Sequence, residues 1–214
     1  MNSLDEALAQ LRNGNIIVVF DGEEREGEAD LIFAAKFATP NKIELLRKDG
    51  GGLICAAISK EHAETIGLPF LTDLFEKSGG TLAQLACKKT AYGDRPSFTL
   101  PINNRKVFTG ITDEDRALTI KTLDTTLGNG IEHFAEEFYS PGHVHILIGS
   151  GLKNRKGHTE LALALGERAG LSGAMVLCEM LGEKKALTRL EAKEYAEKHN
   201  FAFLEGKEII EALL

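Results

Sequence analysis

Six acids stand within ten positions, at Asp21, Glu23, Glu24, Glu26, Glu28 and Asp30, relieved only by Arg25. Glu26, Glu28 and Asp30 recur at every second position, so an extended backbone would turn all three carboxylates to one side. Like charges held that close oppose one another's ionisation unless a cation or a shared proton sits among them. Hard divalent ions such as Mg²⁺ take oxygen ligands of this kind. A solvated acidic turn accounts for the same run equally well, since most charge runs are exposed faces.

A second group lies far along the chain, at Asn154-Arg155-Lys156-Gly157-His158-Thr159. Arg155 and Lys156 supply positive charge and Gly157 lets the backbone approach a ligand. The helix expected to begin at Glu160 presents unpaired N–H groups, a combination that suits a phosphate monoester. The spacing is not that of a Walker loop. His158 would cap that helix or complete a metal site begun by the acids. His143, after Pro141-Gly142, is either a turn residue or a general acid or base. Glu179 interrupts the apolar run Met175 to Met180, and burial there would raise its pKa towards neutrality. Cys55 and Cys178 sit in apolar runs without basic neighbours, which favours core thiols over nucleophiles. Thr112 caps a helix, with contact to a substrate hydroxyl as a second role. On these residues alone, a metal-dependent phosphoester hydrolase and a sugar-phosphate or nucleotide-binding domain without catalysis both stay open.

The elements that must carry these groups follow from patterning. Ser3 to Glu6 reads as a capping box before Leu4, Leu8 and Leu11 at helical spacing, and Ile16 to Phe20 reads as a buried strand. The acids then fall between two strands, the second from Leu31 to Ala35. Thr39-Pro40 opens a helix that stops before Asp49-Gly50-Gly51-Gly52, Leu53 to Ile58 is a strand, and Ser59 caps a brief helix. Residues 71–94, broken by Ser78-Gly79-Gly80 and Tyr92-Gly93-Asp94, read as a long functional loop. Ser97 to Ile102 reads as a strand, Thr112 and Asp115 as a capping box, and Ser140 to His143 as a turn feeding the strand Val144 to Gly149. Met175 to Met180 is a strand, Thr188 and Glu191 cap a long helix, and a short strand and a helix after Gly206 close the chain. Strands and helices mix without repeat or linker, which predicts one α+β domain over 1–214 with a mixed sheet. The 214 residues carry a net charge of −7, with 43% hydrophobic and 27% charged residues. That balance argues against a nucleic-acid or anionic-membrane binder. No leader or long apolar run stands out, and three cysteines without a CxxC pair suit a reducing cytoplasm.

The quoted segments also resemble, in order and over nearly the whole chain, the 3,4-dihydroxy-2-butanone 4-phosphate synthase family of riboflavin biosynthesis. The pieces are Asp21 with Arg25-Glu26-Gly27-Glu28-Ala29-Asp30, Gly51-Gly52-Leu53-Ile54-Cys55, Thr90-Ala91-Tyr92-Gly93, and Thr109-Gly110-Ile111-Thr112 with Asp115-Arg116. Pro141-Gly142-His143-Val144, Arg155-Lys156-Gly157-His158-Thr159-Glu160 and Leu177-Cys178-Glu179 complete the set. The resemblance implies a lyase dependent on Mg²⁺ (or Mn²⁺) that turns ribulose 5-phosphate into the butanone phosphate and formate through an enediolate. It further implies a homodimer with sites near the interface, and a three-layer fold with a mixed, twisted β-sheet flanked by helices. Under it, Glu26 and His158 match metal ligands. Arg25, Glu26, Asp30 and Thr112, with Arg155, Lys156, Gly157, His158, Thr159 and Glu179, match substrate-binding positions. Glu179 also matches an essential acid/base, and Asp21, Glu28, Cys55 and His143 match further catalytic positions. Residues 70–89 resemble the archaeal form, and the stretch matched is that of a monofunctional synthase.

Overall fold

Short apolar runs bounded by glycine, proline and capping hydroxyls set the elements of the computed structural model, which describes residues 3–86 and 88–214. Cys87 lies outside the described residues. In chain order come α1 (Ser3–Arg12), β1 (Ile17–Phe20), β2 (Ala29–Ala34), α2 (Pro40–Leu45) and β3 (Cys55–Ile58). Next are α3 (Lys60–Thr65), α4 (Leu71–Ser78), α5 (Gly80–Leu85), β4 (Ile102–Asn104), α6 (Asp113–Thr126) and α7 (Gly130–Glu137). The chain closes with β5 (Phe138–Ile148), α8 (His158–Arg168), β6 (Met175–Glu179), α9 (Arg189–His199), β7 (Phe203–Glu205) and α10 (Gly206–Leu213). Thr39, Ser59, Thr112 and Thr188 accept backbone N–H bonds as N-caps, as their sequence context predicts. Thr188 and Glu191 form the reciprocal box. Asp115 does not; its carboxylate turns back to the N–H groups of Thr109 and Gly110.

The strands form one sheet in the order β4-β5-β3-β6-β2-β1-β7. β1–β7 and β3–β5 pair in parallel and the other neighbours antiparallel, so the sheet is mixed as expected. Side chains alternate across a strand, and each face has its own core. Val18, Leu31, Phe33, Ala56, Ile146 and Val176 pack with Ile120 of α6 and Ala192 of α9. Val19, Ile32, Ala57 and Leu177 pack on the opposite face with Leu8 of α1, Leu161 of α8 and Ile209 of α10. The result is a three-layer α+β fold. Phe33 is fully buried in the first core, so Phe33→Ala is expected to cost about 3–5 kcal/mol, read as a lowered denaturant midpoint at unchanged m.

That parity positions the site. Asp30, Cys55 and Glu179 alternate with residues of the first core and therefore face α8, as does Asp21 by the same count along β1. Three expectations need correction. Residues 71–85 are helical, with Gly79 and Gly80 at φ of 71° and 58° breaking α4 from α5. The glycines interrupt a helix there rather than mark a loop. The strand expected at 97–102 becomes a regular ladder only at Ile102. Phe98 makes a single bridge to Leu147, since Pro96 and Pro101 have no N–H to donate. Ser140 to His143 are not a turn ahead of a strand but part of β5. Ile102 pairs with Val144 while Asn103 pairs with Tyr139, so these four residues bulge from the ladder.

Candidate active site

The β1–β2 hairpin carries the acids in the loop from Asp21 to Glu28, and Asp21 ties that loop together. Its Oδ1 accepts the Glu28 N–H and its Oδ2 the Glu26 N–H, both at 3.1 Å. Arg25 Nη1 donates to the same Oδ2 at 2.8 Å. An eight-residue acidic loop would otherwise splay under its own repulsion; this buried carboxylate folds it inward. The Arg25 guanidinium also reaches Glu26 at 3.1 Å and Asp94 at 2.9 Å, and stacks 4.7 Å from the centre of the Tyr92 ring.

His158, the first residue of α8, meets this loop. Its Nε2–H donates to the Glu28 carbonyl at 3.2 Å, which leaves Nδ1 facing Glu26 Oε2 at 3.4 Å and Asp30 Oδ1 at 3.7 Å. Burial disfavours charge on the imidazole, yet Asp30 and the Glu26 hydrogen bond outweigh it and push the pKa up to about 9. Burial works against Glu26 as well, but bonds to His158 and to the Tyr92 hydroxyl hold its carboxyl down at about 2. Asp30 is wholly enclosed. Desolvation, aided by Glu179, Glu26 and Glu28 and opposed by His158, pushes it up to about 7. Its Oδ1 is buried without a hydrogen bond. Glu28 is raised in the same direction by burial and by Glu26 and Glu179.

This donor set fits a divalent cation. A ligating histidine characteristically gives its second N–H to a carbonyl or carboxylate, and the Glu28 carbonyl takes that part here. Ligand atoms of Asp21, Glu26 and His158 lie within 4.8 Å of one another. Asp21 already accepts two backbone N–H groups and Arg25, so Glu26 and His158, with the unpaired oxygen of Asp30 nearby, are the better holders. A cation would take the place of the imidazolium proton, since both satisfy the same carboxylates.

Beside this cluster the α8 entry supplies positive charge. Arg155 Nη1 donates to buried Glu160 at 2.6 Å and its Nε lies 3.4 Å from Asp94. A Cβ on Gly157 would strike the guanidiniums of both Arg25 and Arg155, so glycine is what lets the two cations converge. Arg25, Arg155, Lys153 and Lys156 line a cleft of about 190 Å³ with Tyr92 and Asp94. Thr159 is buried at the second position of α8.

Glu179 pairs with Asp30 across β2 and β6, on the same face. Its Oε2 accepts the Leu53 N–H at 2.8 Å and its carbonyl the Gly52 N–H at 3.1 Å. The π turn Leu46–Gly50 and Gly51-Gly52 wrap the end of β6 closely: a Cβ on Gly52 would lie 2.7 Å from Glu179 Cβ. Cys55 packs beneath, 1% exposed, and burial with Glu179 and Asp30 nearby raises its thiol pKa. Burial and the raised thiol favour a protonated side chain at this position.

His143 and Thr112 stand apart. His143 is held by Asn103, which accepts its backbone N–H at 2.8 Å, and Thr112 caps a helix on the face opposite α8. Among the described residues no hydrogen bond or ion pair joins either to His158. His143 does lie at the same end of the sheet as Glu179, since Cys55 pairs with both His145 and Leu177. Three site residues lay outside the sequence-based set: Glu160, which fixes Arg155, and Tyr92 and Asp94. A glutamate at a helix third position resembles an ordinary cap, which hid the first. Tyr92 fell in a matched segment, but nothing local to it signals a contact with Glu26.

The family described as 3,4-dihydroxy-2-butanone 4-phosphate synthase matches residues 5–212. The chain is 41% identical to a protein of that name from Methanothermobacter thermautotrophicus, over 99% of this chain and 96% of the relative. It is 40% identical to another from Archaeoglobus fulgidus, over 97% and 92%. A solved 3,4-dihydroxy-2-butanone 4-phosphate synthase in complex with two magnesium ions superposes with a TM-score of 0.79 at 25% identity, over 98% of this chain and 95% of that one.

Proposed function

Because the chain belongs to the 3,4-dihydroxy-2-butanone 4-phosphate synthase family, we infer that the acidic hairpin and the start of α8 form its active site. The protein is a Mg²⁺-dependent lyase of riboflavin biosynthesis that converts D-ribulose 5-phosphate to L-3,4-dihydroxy-2-butanone 4-phosphate and formate. The observation that carries the site assignment is His158, with one ring nitrogen fixed by the Glu28 carbonyl and the other turned to Glu26 and Asp30. Held by Glu26 and His158, Mg²⁺ (or Mn²⁺) would act as a Lewis acid on substrate oxygens and spread the charge that develops as a proton leaves the neighbouring carbon.

The chain's own groups do the rest. Arg155, with Lys156, Gly157 and the first N–H groups of α8, anchors the phosphate. Arg25 and Asp21 keep the hairpin folded towards it. Dehydration, skeletal shift and loss of formate each need protons moved, and Glu28 and Asp30, whose carboxyls burial pushes up, border Glu179 as the groups placed to move them. Asp21 contributes by orientation, since its oxygens are already bonded, and Cys55 by packing under Asp30 and Glu179.

We propose that residues 1–214 act as one synthase domain and that two copies associate, with His143 and Thr112 reaching the site from the facing edge. Phe108 (96% exposed) and Ile111 (51%) beside Thr112 support this reading. No described helix is long and apolar enough to cross a membrane, and the free thiols Cys55 and Cys178 favour the cytoplasm. Incubation with ribulose 5-phosphate and Mg²⁺ is expected to release formate and the butanone phosphate, and a chelator to stop both. Release of inorganic phosphate without formate would instead make the protein a hydrolase.

A further inference from the structure

One acid sits in the otherwise basic cleft, on a segment that belongs to neither the hairpin nor α8. Asp94 Oδ2 accepts from Arg25 Nε at 3.2 Å and Nη2 at 2.9 Å, and lies 3.4 Å from Arg155 Nε. That Nε is buried and has no hydrogen-bond acceptor. The carboxylate therefore stands between two guanidiniums in the place where an anionic substrate group would be received, while Lys153 and Lys156 line the same cleft. Asp94 ends a tight turn: the Thr90 N–H donates to its carbonyl at 2.7 Å, and the Gly93 N–H to the Thr90 carbonyl at 3.0 Å. Tyr92, within that turn, stacks on Arg25 and bonds Glu26.

We propose that Asp94 is a displaceable counterion that occupies the phosphate-binding arginine pair and is driven out by the substrate's phosphate. The proposal rests on the assignment of Arg155 as the phosphate anchor. A phosphate monoester carries up to two charges and three acceptor oxygens against one charge and two oxygens for the carboxylate, so it wins the guanidiniums by charge and geometry. Both anions cannot remain, because they would repel across the cleft. Leaving with its turn, Asp94 draws Tyr92 off Arg25 and Glu26, so arrival of phosphate also frees the carboxylate intended for the cation. Without the acid the arginines would still be ordered by Asp21 and Glu160, which makes Asp94 a positioning residue for entry rather than a prop for the fold.

The test is calorimetric titration of inorganic phosphate into wild-type protein, Asp94→Asn and Arg155→Ala at fixed ionic strength. Asp94→Asn is expected to bind phosphate about tenfold more tightly, since one repelling charge is removed from a partly screened site. The KM for ribulose 5-phosphate should fall in parallel, a shift that a merely structural turn would not produce. Asp94→Ser serves as a second charge-removing variant should asparagine disturb the turn, with circular dichroism as the check. Unchanged or weaker phosphate binding in both variants, with binding still lost in Arg155→Ala, overturns the counterion role and leaves the anchor standing. Phosphate binding that ignores Arg155→Ala, or is absent from every variant, overturns the anchor and the proposal with it.

Discussion

Glu26→Gln and His158→Ala are each expected to lower kcat by about a thousandfold or more, equivalent to roughly 4 kcal/mol of barrier, with the fold retained. The two side chains lie 3.4 Å apart but come from positions separated by most of the chain. The Glu26 side chain is 21% exposed, and His158, though buried, bonds the Glu28 carbonyl of the hairpin. Glu26→Gln keeps the shape and removes the charge, while Arg25 retains Asp21 and Asp94. His158→Ala leaves Asp30 without its nearest opposing charge, and that carboxyl, already pushed up to about 7, takes a proton instead of unfolding the hairpin. Loss of the cation should therefore appear directly. Titration of Mn²⁺ followed by electron paramagnetic resonance should show both variants binding at least about tenfold more weakly than wild type. Either variant turning over at the wild-type rate would remove Glu26 and His158 from the cation site.

How far the chain announces this site depends on how local each cause is. Caps and parity are local. Thr39, Ser59 and Thr188 declare helix starts by side-chain chemistry, and alternation along Leu31 to Phe33 or Met175 to Cys178 assigns faces before any contact is known. The alternating acids Glu26, Glu28 and Asp30 were legible for the same reason, although only Asp30 lies in a strand and the other two reach His158 from the loop. The likeness to known synthases extended this to residues whose own neighbourhood says little, such as Cys55.

What was not legible depends on distant partners. The four-residue bulge at Ser140 to His143 exists because β4 is short and pairs in two registers, which β5 alone does not encode. Helices α4 and α5 have no fully buried residue; Leu71, Leu74 and Phe75 do fall at helical spacing, but the run is one short helix cut by Gly79-Gly80, and the glycines dominate the reading. Asp94 resembles any acid in a glycine turn until Arg25 and Arg155 are seen on either side of it. The run Gly50-Gly51-Gly52 reads as a helix stop and is one, but its second use as the seat of Glu179 appears only once β6 is placed against it.

That seat gives the second large effect. Glu179→Gln is expected to lower kcat by about a hundredfold to ten-thousandfold, the range typical of a lost acid–base group. Gly52→Ala is expected to approach it without touching the carboxylate chemically. An alanine Cβ there would lie 2.7 Å from Glu179 Cβ and 2.8 Å from its carbonyl oxygen, atoms that cannot swing aside as a flexible chain end would. The end of β6 must shift, and the Leu53 N–H, now 2.8 Å from Oε2, would lose its hold on the carboxylate. Asp30 lies between Glu179 and His158, so Mn²⁺ affinity is expected to weaken, but by less than in His158→Ala, while the main loss falls on kcat. The double variant should be no slower than Glu179→Gln alone, because both changes remove one proton carrier. Gly52→Ala at the wild-type kcat, or a double variant whose losses multiply, would mean that the glycine does not position Glu179 and that the acid works from another pose.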